Sequence, residues 1–213
     1  MVSDISQIRR EYAGKFLSEK QVGADPLILF KQWFDEANHA EVIDANAMTL
    51  STIDTEGRPQ GRIVLLKGVE NGRFIFYTNY NSNKGQDLEV NPVAALTFYY
   101  KELNRQIRVT GKVDRCSSEV SDNYFASRPL KSRIGAWVSD QSQAIPSRIY
   151  LMRKFAEFGL KNLGQTIKRP AHWGGYQLTP DYIEFWQGRP NRLHDRIEFK
   201  LEEGQWQSKR LAP

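Results

Sequence analysis

The sequence predicts a mainly β fold, an antiparallel β-barrel with peripheral helices. Three observations carry that prediction. Short β-type segments follow one another along the 213 residues, Gly-, Pro- and Asn-containing turns separate them, and helices are inserted without regular strand–helix alternation. A closed sheet suits such a run because it hides its own edges. A doubly wound α/β sheet would need that alternation together with a Gly-rich βα turn, and the chain contains no G-x-G-x-x-G run. No internal repeat or low-complexity stretch divides the chain. One domain over residues 25–213 is therefore expected, preceded by a polar, mobile arm or lid over residues 1–24.

Asp25 can accept from free amides and Pro26 fits a first helical turn; behind them Leu27, Phe30, Trp33, Phe34 and Ala37 recur at helical spacing. An amphipathic helix follows. Strands are then expected over 48–53, 61–67, 73–78, 93–100 and 105–114. The turn over 54–59 contains Gly and Pro, and Asn71-Gly72 tolerates the positive φ angles of a tight hairpin, so neighbouring strands should be antiparallel. Residues 82–91 read as a short helix stopped by Pro92, and 117–127 and 146–162 as two more. Strands over 175–179, 183–187 and 196–201 close the chain, the last turning through Glu203-Gly204 into 205–209.

Composition narrows the function. An apolar fraction of 40% with 26% charged residues is that of a folded globular protein. The longest apolar runs, 63–66 and 93–100, are too short for a bilayer and the N-terminal region has no signal-peptide apolar core, so no membrane association and a cytoplasmic location are expected. The single cysteine, Cys116, forms no internal disulfide, and the three scattered histidines (His39, His172, His194) give no metal-ligand spacing. A net charge of +5 calls for polyanionic partners. The charge is spread singly, without a block of like charges or a recognition motif, which favours discrete phosphate sites over nucleic acid.

Arg62-Ile63-Val64-Leu65-Leu66-Lys67 is an apolar strand bracketed by cations. A buried cation needs an anionic partner, which a phosphate would supply; cations that reach solvent from strand ends need none. Arg62 and Lys67 are an odd number apart, so meeting one ligand requires a twist, a bulge or a ligand lying along the strand end. Tyr77-Thr78-Asn79 and Ser82-Asn83-Lys84 place hydroxyls, amides and a cation at a strand end and a helix start, making either an anion site or an ordinary capped turn. Gln106 and Arg108 share a strand face that could meet a bound ring edge or solvent.

Tyr124, Arg128 and Ser132 lie four apart and converge if helical geometry continues past Pro129. They offer two hydroxyls and a guanidinium fork to a phosphate monoester, or simply decorate a helix C-terminus. In an extended segment Arg192, His194 and Arg196 share one face near Trp186, and such a face repels itself unless an anion binds there.

Read together, these motifs resemble the pyridoxine/pyridoxamine 5′-phosphate oxidase family along nearly the whole chain. The resemblance rests on Arg9-Arg10-Glu11-Tyr12, residues 62–67, Phe76-Tyr77-Thr78-Asn79, Ser127-Arg128-Pro129, residues 134–139, Gln141-Ser142, Trp173-Gly174-Gly175, residues 183–188, Arg192-Leu193-His194-Asp195-Arg196 and the terminal Arg210-Leu211-Ala212-Pro213, all in the family's order. It implies an FMN-binding split β-barrel that forms a homodimer with two FMN clefts at the subunit interface. The implied FMN contacts are Arg62, Ile63, Val64, Leu65, Leu66, Lys67, Tyr77, Thr78, Asn83, Lys84, Gln106, Gln141, Ser142, Trp186 and Arg196.

The implied substrates are pyridoxine 5′-phosphate and pyridoxamine 5′-phosphate, oxidised with O2 to pyridoxal 5′-phosphate. Lys67, Tyr124, Arg128 and Ser132 would hold the substrate phosphate, Arg192, Leu193 and His194 would stand beside the reacting face, with Arg192 and His194 catalytic, and Arg9, Arg10, Glu11 and Tyr12 would close over the site. Family members commonly carry Arg-Lys where this chain has Asn83-Lys84, which implies weaker FMN retention. Two rivals share the same contacts: a related split-barrel flavoenzyme with another substrate, and a non-catalytic flavin or pyridoxal-phosphate carrier.

Overall fold

The computed structural model describes residues 11, 12 and 14–213. Among them, helices α1 (Glu19–Val22), α2 (Pro26–His39), α3 (Asn83–Val90), α4 (Ser118–Ser127), α5 (Leu130–Val138) and α6 (Arg148–Lys161) accompany nine strands. These are β1 (Ala47–Ile53), β2 (Pro59–Leu65), β3 (Gly68–Glu70), β4 (Arg73–Asn79), β5 (Val93–Tyr100), β6 (Arg105–Arg115), β7 (Trp173–Gln187), β8 (Asp195–Glu202) and β9 (Gln205–Leu211). They join one sheet in the order β2-β1-β5-β6-β7-β4-β3, with β8 added on β7 and β9 on β8. The pairs β3–β4, β4–β7, β7–β8 and β8–β9 are antiparallel, and the fold is mainly β with helices inserted between strands. The expected hairpin at Asn71-Gly72 forms with φ of 49° and 77°, and Glu203-Gly204 repeats it with 50° and 79°.

The chain forms two compact units, one from Met1–Thr49, Ala95–Thr110 and Pro180–Pro213 and the other from Leu50–Ala94 and Gly111–Thr179. In the first, Asp25 accepts from the Leu27 amide at 2.8 Å and Pro26 opens α2. Leu29, Phe30, Trp33 and Ala37 make its buried stripe, with Phe30 edge-on to Phe98 at 5.3 Å and Trp33 edge-on to Phe185 at 5.2 Å. Leu29 and Phe30 each contribute about 1.5–3 kcal/mol of burial.

The arm expected over 1–24 is packed in its second half. Leu17 and Val22 are buried, the Leu17 amide donates to Asp195 at 3.1 Å, and Arg210 of β9 pairs with Glu19 of α1 at 2.6 Å. Arg9 and Arg10 lie outside the described residues.

The second unit has its core where Phe125, Ile134, Ala136, Val138, Ile167 and Trp173 meet, with Leu151, Phe155 and Phe158 of α6 against them. Trp173-Gly174-Gly175 opens β7, and at both glycines a side chain would force its neighbours to shift. A Cβ on Gly174 would overlap the Tyr80 hydroxyl, and one on Gly175 would crowd Cys116 and Tyr77.

Five elements depart from expectation. Helices α1 and α5 and strand β3 are not expected from the sequence, β2 is displaced by two residues to Pro59–Leu65, and the strands expected over 175–179 and 183–187 are one 15-residue strand, β7. Pro180 is tolerated there because it falls between the stretch paired with β4 (through Leu178) and the stretch paired with β8 (from Tyr182). No helix among the described residues is long and apolar enough to cross a membrane.

Candidate active site

A cleft of about 540 Å³ opens in the second unit. Its lining begins on β2, where Ile63, Val64 and Leu65 border it, followed by Lys67. The odd spacing of Arg62 and Lys67 proves immaterial, because β2 ends at Leu65, Leu66 turns inward and is buried, and the Lys67 amide donates to the Ile75 carbonyl at 2.8 Å. Arg62 does not line the cleft. Its guanidinium bonds Thr52 and the Leu50 carbonyl and pairs with buried Asp87 at 3.5 Å, so the anion that the sequence required for it is supplied from α3.

The end of β4 adds Tyr77, Thr78 and Asn79, and α3 adds Lys84. The Lys84 ammonium is buried against the hydroxyls of Thr78 at 3.3 Å and Ser82 at 3.2 Å, and burial together with the nearby Arg62 charge pulls its pKa down, against the opposing pull of Asp87. Ser82 does not cap α3: its hydroxyl donates to the Asn79 carbonyl at 2.6 Å. The Asn83 amide instead donates to Ser142 Oγ at 3.3 Å while the Asn83 side chain faces solvent. Ser142 reaches it with a φ of 71°, and Gln141, also in the lining, accepts from Thr78 at 3.4 Å. Residues 139–142 are thus tied to the β4–α3 junction.

Tyr124, Arg128 and Ser132 all border the cleft, although not by the expected route. Helical geometry stops at Ser127, because a residue before proline disfavours the α region and Arg128 is extended at φ −71°, ψ 147°. Pro129 then starts α5, and the break rather than a continuous helix brings Ser132 to the same wall. Tyr77 stacks on Tyr124 at 3.8 Å, and burial pushes the Tyr77 hydroxyl up to about 12. The lining holds Lys67, Lys84 and Arg128 and no carboxylate. Such a surface selects anions.

The remaining expected residues belong to the first unit. Trp186 and His194 have ring centroids 4.7 Å apart, and Tyr12 is edge-on to both at 5.7 and 5.4 Å; Glu11 is exposed. Arg192, His194 and Arg196 do not share an extended face. A 3-10 turn covers Pro190–Arg192 with positive φ at Asn191 (55°) and Arg192 (61°), leaving Arg192 and Leu193 exposed, and β8 begins only at Asp195.

Repulsion is relieved by an internal carboxylate, because Arg196 donates to Glu184 at 2.9 Å. Glu184 is buried and also accepts from Arg108 at 3.1 Å and Tyr182 at 3.0 Å; burial alone would raise its pKa, and these donors, Arg196 first, bring it below the usual carboxylate range. Gln106 is half-buried on the strand face it shares with exposed Arg108. The Arg189 amide donates to His194 Nδ1 at 3.1 Å, which places the neutral ring's proton on Nε2, and burial followed by the Arg192 charge lowers the His194 pKa.

Residues 34–162 match the family described as pyridoxamine 5′-phosphate oxidase, and residues 173–213 match the pyridoxine 5′-phosphate oxidase C-terminal dimerisation region. The chain belongs to the pyridoxine/pyridoxamine 5′-phosphate oxidase family. Among its relatives, the pyridoxine/pyridoxamine 5′-phosphate oxidase of Cupriavidus necator is 51% identical over 213 residues, covering all of both chains. The one from Polynucleobacter asymbioticus is 52% identical over 212 residues, again 100% of each.

Among solved structures, PhzG of Burkholderia lata in complex with tetrahydrophenazine-1-carboxylic acid superposes with a TM-score of 0.89 at 26% identity, over 96% of this chain and 100% of that one. A pyridoxamine 5′-phosphate oxidase-related, FMN binding protein of Nostoc punctiforme gives 0.73 at 17% identity, over 90% and 100%, a likeness of fold. The fold of this family member is accordingly the split barrel. Sequence reasoning gave no role to Asp87, Glu184 or Trp173, all buried. An acidic residue inside an apolar strand, as at Glu184, was the available signal for a buried ion-pair centre.

Proposed function

We propose that this chain is an FMN-dependent oxidase that converts pyridoxine 5′-phosphate and pyridoxamine 5′-phosphate to pyridoxal 5′-phosphate, as a cytoplasmic homodimer. The observation that carries this reading is the carboxylate-free cleft bearing Lys67, Lys84 and Arg128, in a chain about half identical over its length to oxidases of that name. FMN suits the residues present. Among the described residues buried Lys84 hydrogen-bonds only hydroxyls, which leaves donor capacity for a phosphate, and Ile63 and Leu65, 67% and 41% exposed, offer apolar contact to a ring system. FMN, when bound, supplies a hydride acceptor at N5 and the reduction of O2 to H2O2.

The protein's part is to hold and orient. Lys84, Asn83, Thr78, Gln141 and Ser142 would hold FMN with residues 63–67, assisted by Tyr77, Gln106, Trp186 and Arg196. Arg128, Ser132, Tyr124 and Lys67 would hold the substrate phosphate, so that the reacting C4′ is positioned by an anchor on the neighbouring ring carbon. Arg192 would orient the substrate. His194, its Nδ1 occupied by the Arg189 amide, would act as a hydrogen-bond donor through Nε2. Oxidation of the alcohol gives the aldehyde directly, while the amine consumes one water and releases ammonia.

The test is peroxide and pyridoxal 5′-phosphate formation by the purified, FMN-loaded protein. Both products from pyridoxamine 5′-phosphate are expected, with Arg192→Ala and His194→Ala lowering turnover at unchanged flavin content. A flavin-loaded protein that yields neither product would overturn the reading.

A further inference from the structure

We infer that Trp173 is the positioning residue for Arg128, holding its guanidinium by ring contact so that its hydrogen-bond donors stay free for the substrate's phosphate monoester; this rests on the function proposed above. The Arg128 guanidinium carbon lies 4.4 Å from the Trp173 ring centroid and 5.7 Å from that of Phe125. Both distances are within the range of cation–π attraction. Three other buried or partly buried arginines are held by carboxylates, Arg62 by Asp87, Arg105 by Glu36 and Arg196 by Glu184, whereas Arg133, like Arg128, keeps a buried nitrogen without a partner among the described residues but does not line the cleft. Among the described residues the cleft around Arg128 has no carboxylate, and its Nη1 is buried without a hydrogen-bond partner.

A buried, unpaired donor is costly, which marks a site awaiting an acceptor. A carboxylate partner would consume the guanidinium's donors and cancel its charge. An indole face does neither. It attracts the cation from above and leaves the N–H fork in its own plane, where an oxyanion can be bound bidentately.

Trp173 is itself fixed for this task. It is 7% exposed in the core with Phe125 and Ile134, its ring lies 11° and 5° from parallel to Tyr77 and Tyr124, and its carbonyl accepts from Arg169 at 2.7 Å. The nearly parallel Tyr77, Tyr124 and Trp173 rings make a layered wall that sets the plane on which Arg128 rests.

The experiment compares wild type, Trp173→Phe and Trp173→Leu, each FMN-loaded. It measures KM and kcat for pyridoxamine 5′-phosphate, flavin content, melting temperature, and the Kd of inorganic phosphate by calorimetry. In Trp173→Leu, KM and the phosphate Kd should both rise roughly tenfold with kcat within about twofold, and Trp173→Phe, which keeps an aromatic face of weaker quadrupole, should show about a threefold rise.

Unchanged phosphate Kd in both variants overturns the inference, as does a loss of kcat at constant KM. If Trp173→Leu does not fold, Trp173→Phe decides by the same criterion. A wild type that binds phosphate but oxidises nothing would sink the proposed function while the calorimetric series still judges Trp173.

Discussion

Asn83 shows what one side chain changes at an anion site. Its amide is engaged by Ser142 but its side chain is exposed, so position 83 adds no charge beside the buried Lys84 ammonium. Asn83→Arg should tighten FMN binding roughly tenfold, the scale of one added charged hydrogen bond, and leave stability within about 0.5 kcal/mol because the site is exposed. Fluorescence titration of FMN checks it, and an unchanged Kd would remove Asn83 from the account. The cations of the cleft were legible residue by residue, since Lys67, Lys84 and Arg128 stand out beside hydroxyls and amides. Their supports were not. Glu184 and Trp173 act through partners many positions away in sequence, Arg196 and Arg128, and such pairings exist only once strands are in register.

The smallest helix makes a pH-dependent contact. Hydrogen bonding by Arg210, assisted by the Glu19 backbone, holds the Glu19 carboxyl at about 2 instead of 4.5, and the same guanidinium bonds Asp195 at 2.8 Å and the Leu17 carbonyl at 2.8 Å. A carboxyl depressed in the folded state favours docking fully above its unfolded value and loses that contribution as pH falls through the folded one. Amide protection of residues 17–22 should therefore decline between about pH 4.5 and about pH 2, and Arg210→Ala should abolish that decline by removing the contact at every pH. Constant protection across the window would contradict it.

Helix α2 was readable because cap, proline and periodicity agree. Helix α5 was hidden because Pro129 signals a stop for α4 and equally a start for α5. Strand β7 read as two because Pro180-Asp181 looks like a turn; the registers with β4 and β8 show that the proline interrupts neither of those pairings.

At the scale of the whole molecule, fold class followed from turn chemistry and strand length, whereas the division of the chain into two units did not, since β1, β5, β6 and β7 each contribute residues to both. Such a division depends on contacts distant in sequence. The proposed homodimer has a direct test: sedimentation at about twice 24.6 kDa, with flavin and activity lost together on dissociation. A monomer that retains both would refute it.

On the proposed function, the cleft's cations and the Trp173-braced Arg128 recognise a group that the reaction leaves unchanged. The phosphate ester is untouched by the chemistry, which alters only the carbon substituent on the neighbouring ring atom. Binding energy drawn from it is uniform along the reaction coordinate and lowers all bound states alike. Turnover then depends on how the planar aldehyde carbon is told from the tetrahedral one it replaces, a discrimination that the proposed roles assign to Arg192 and His194.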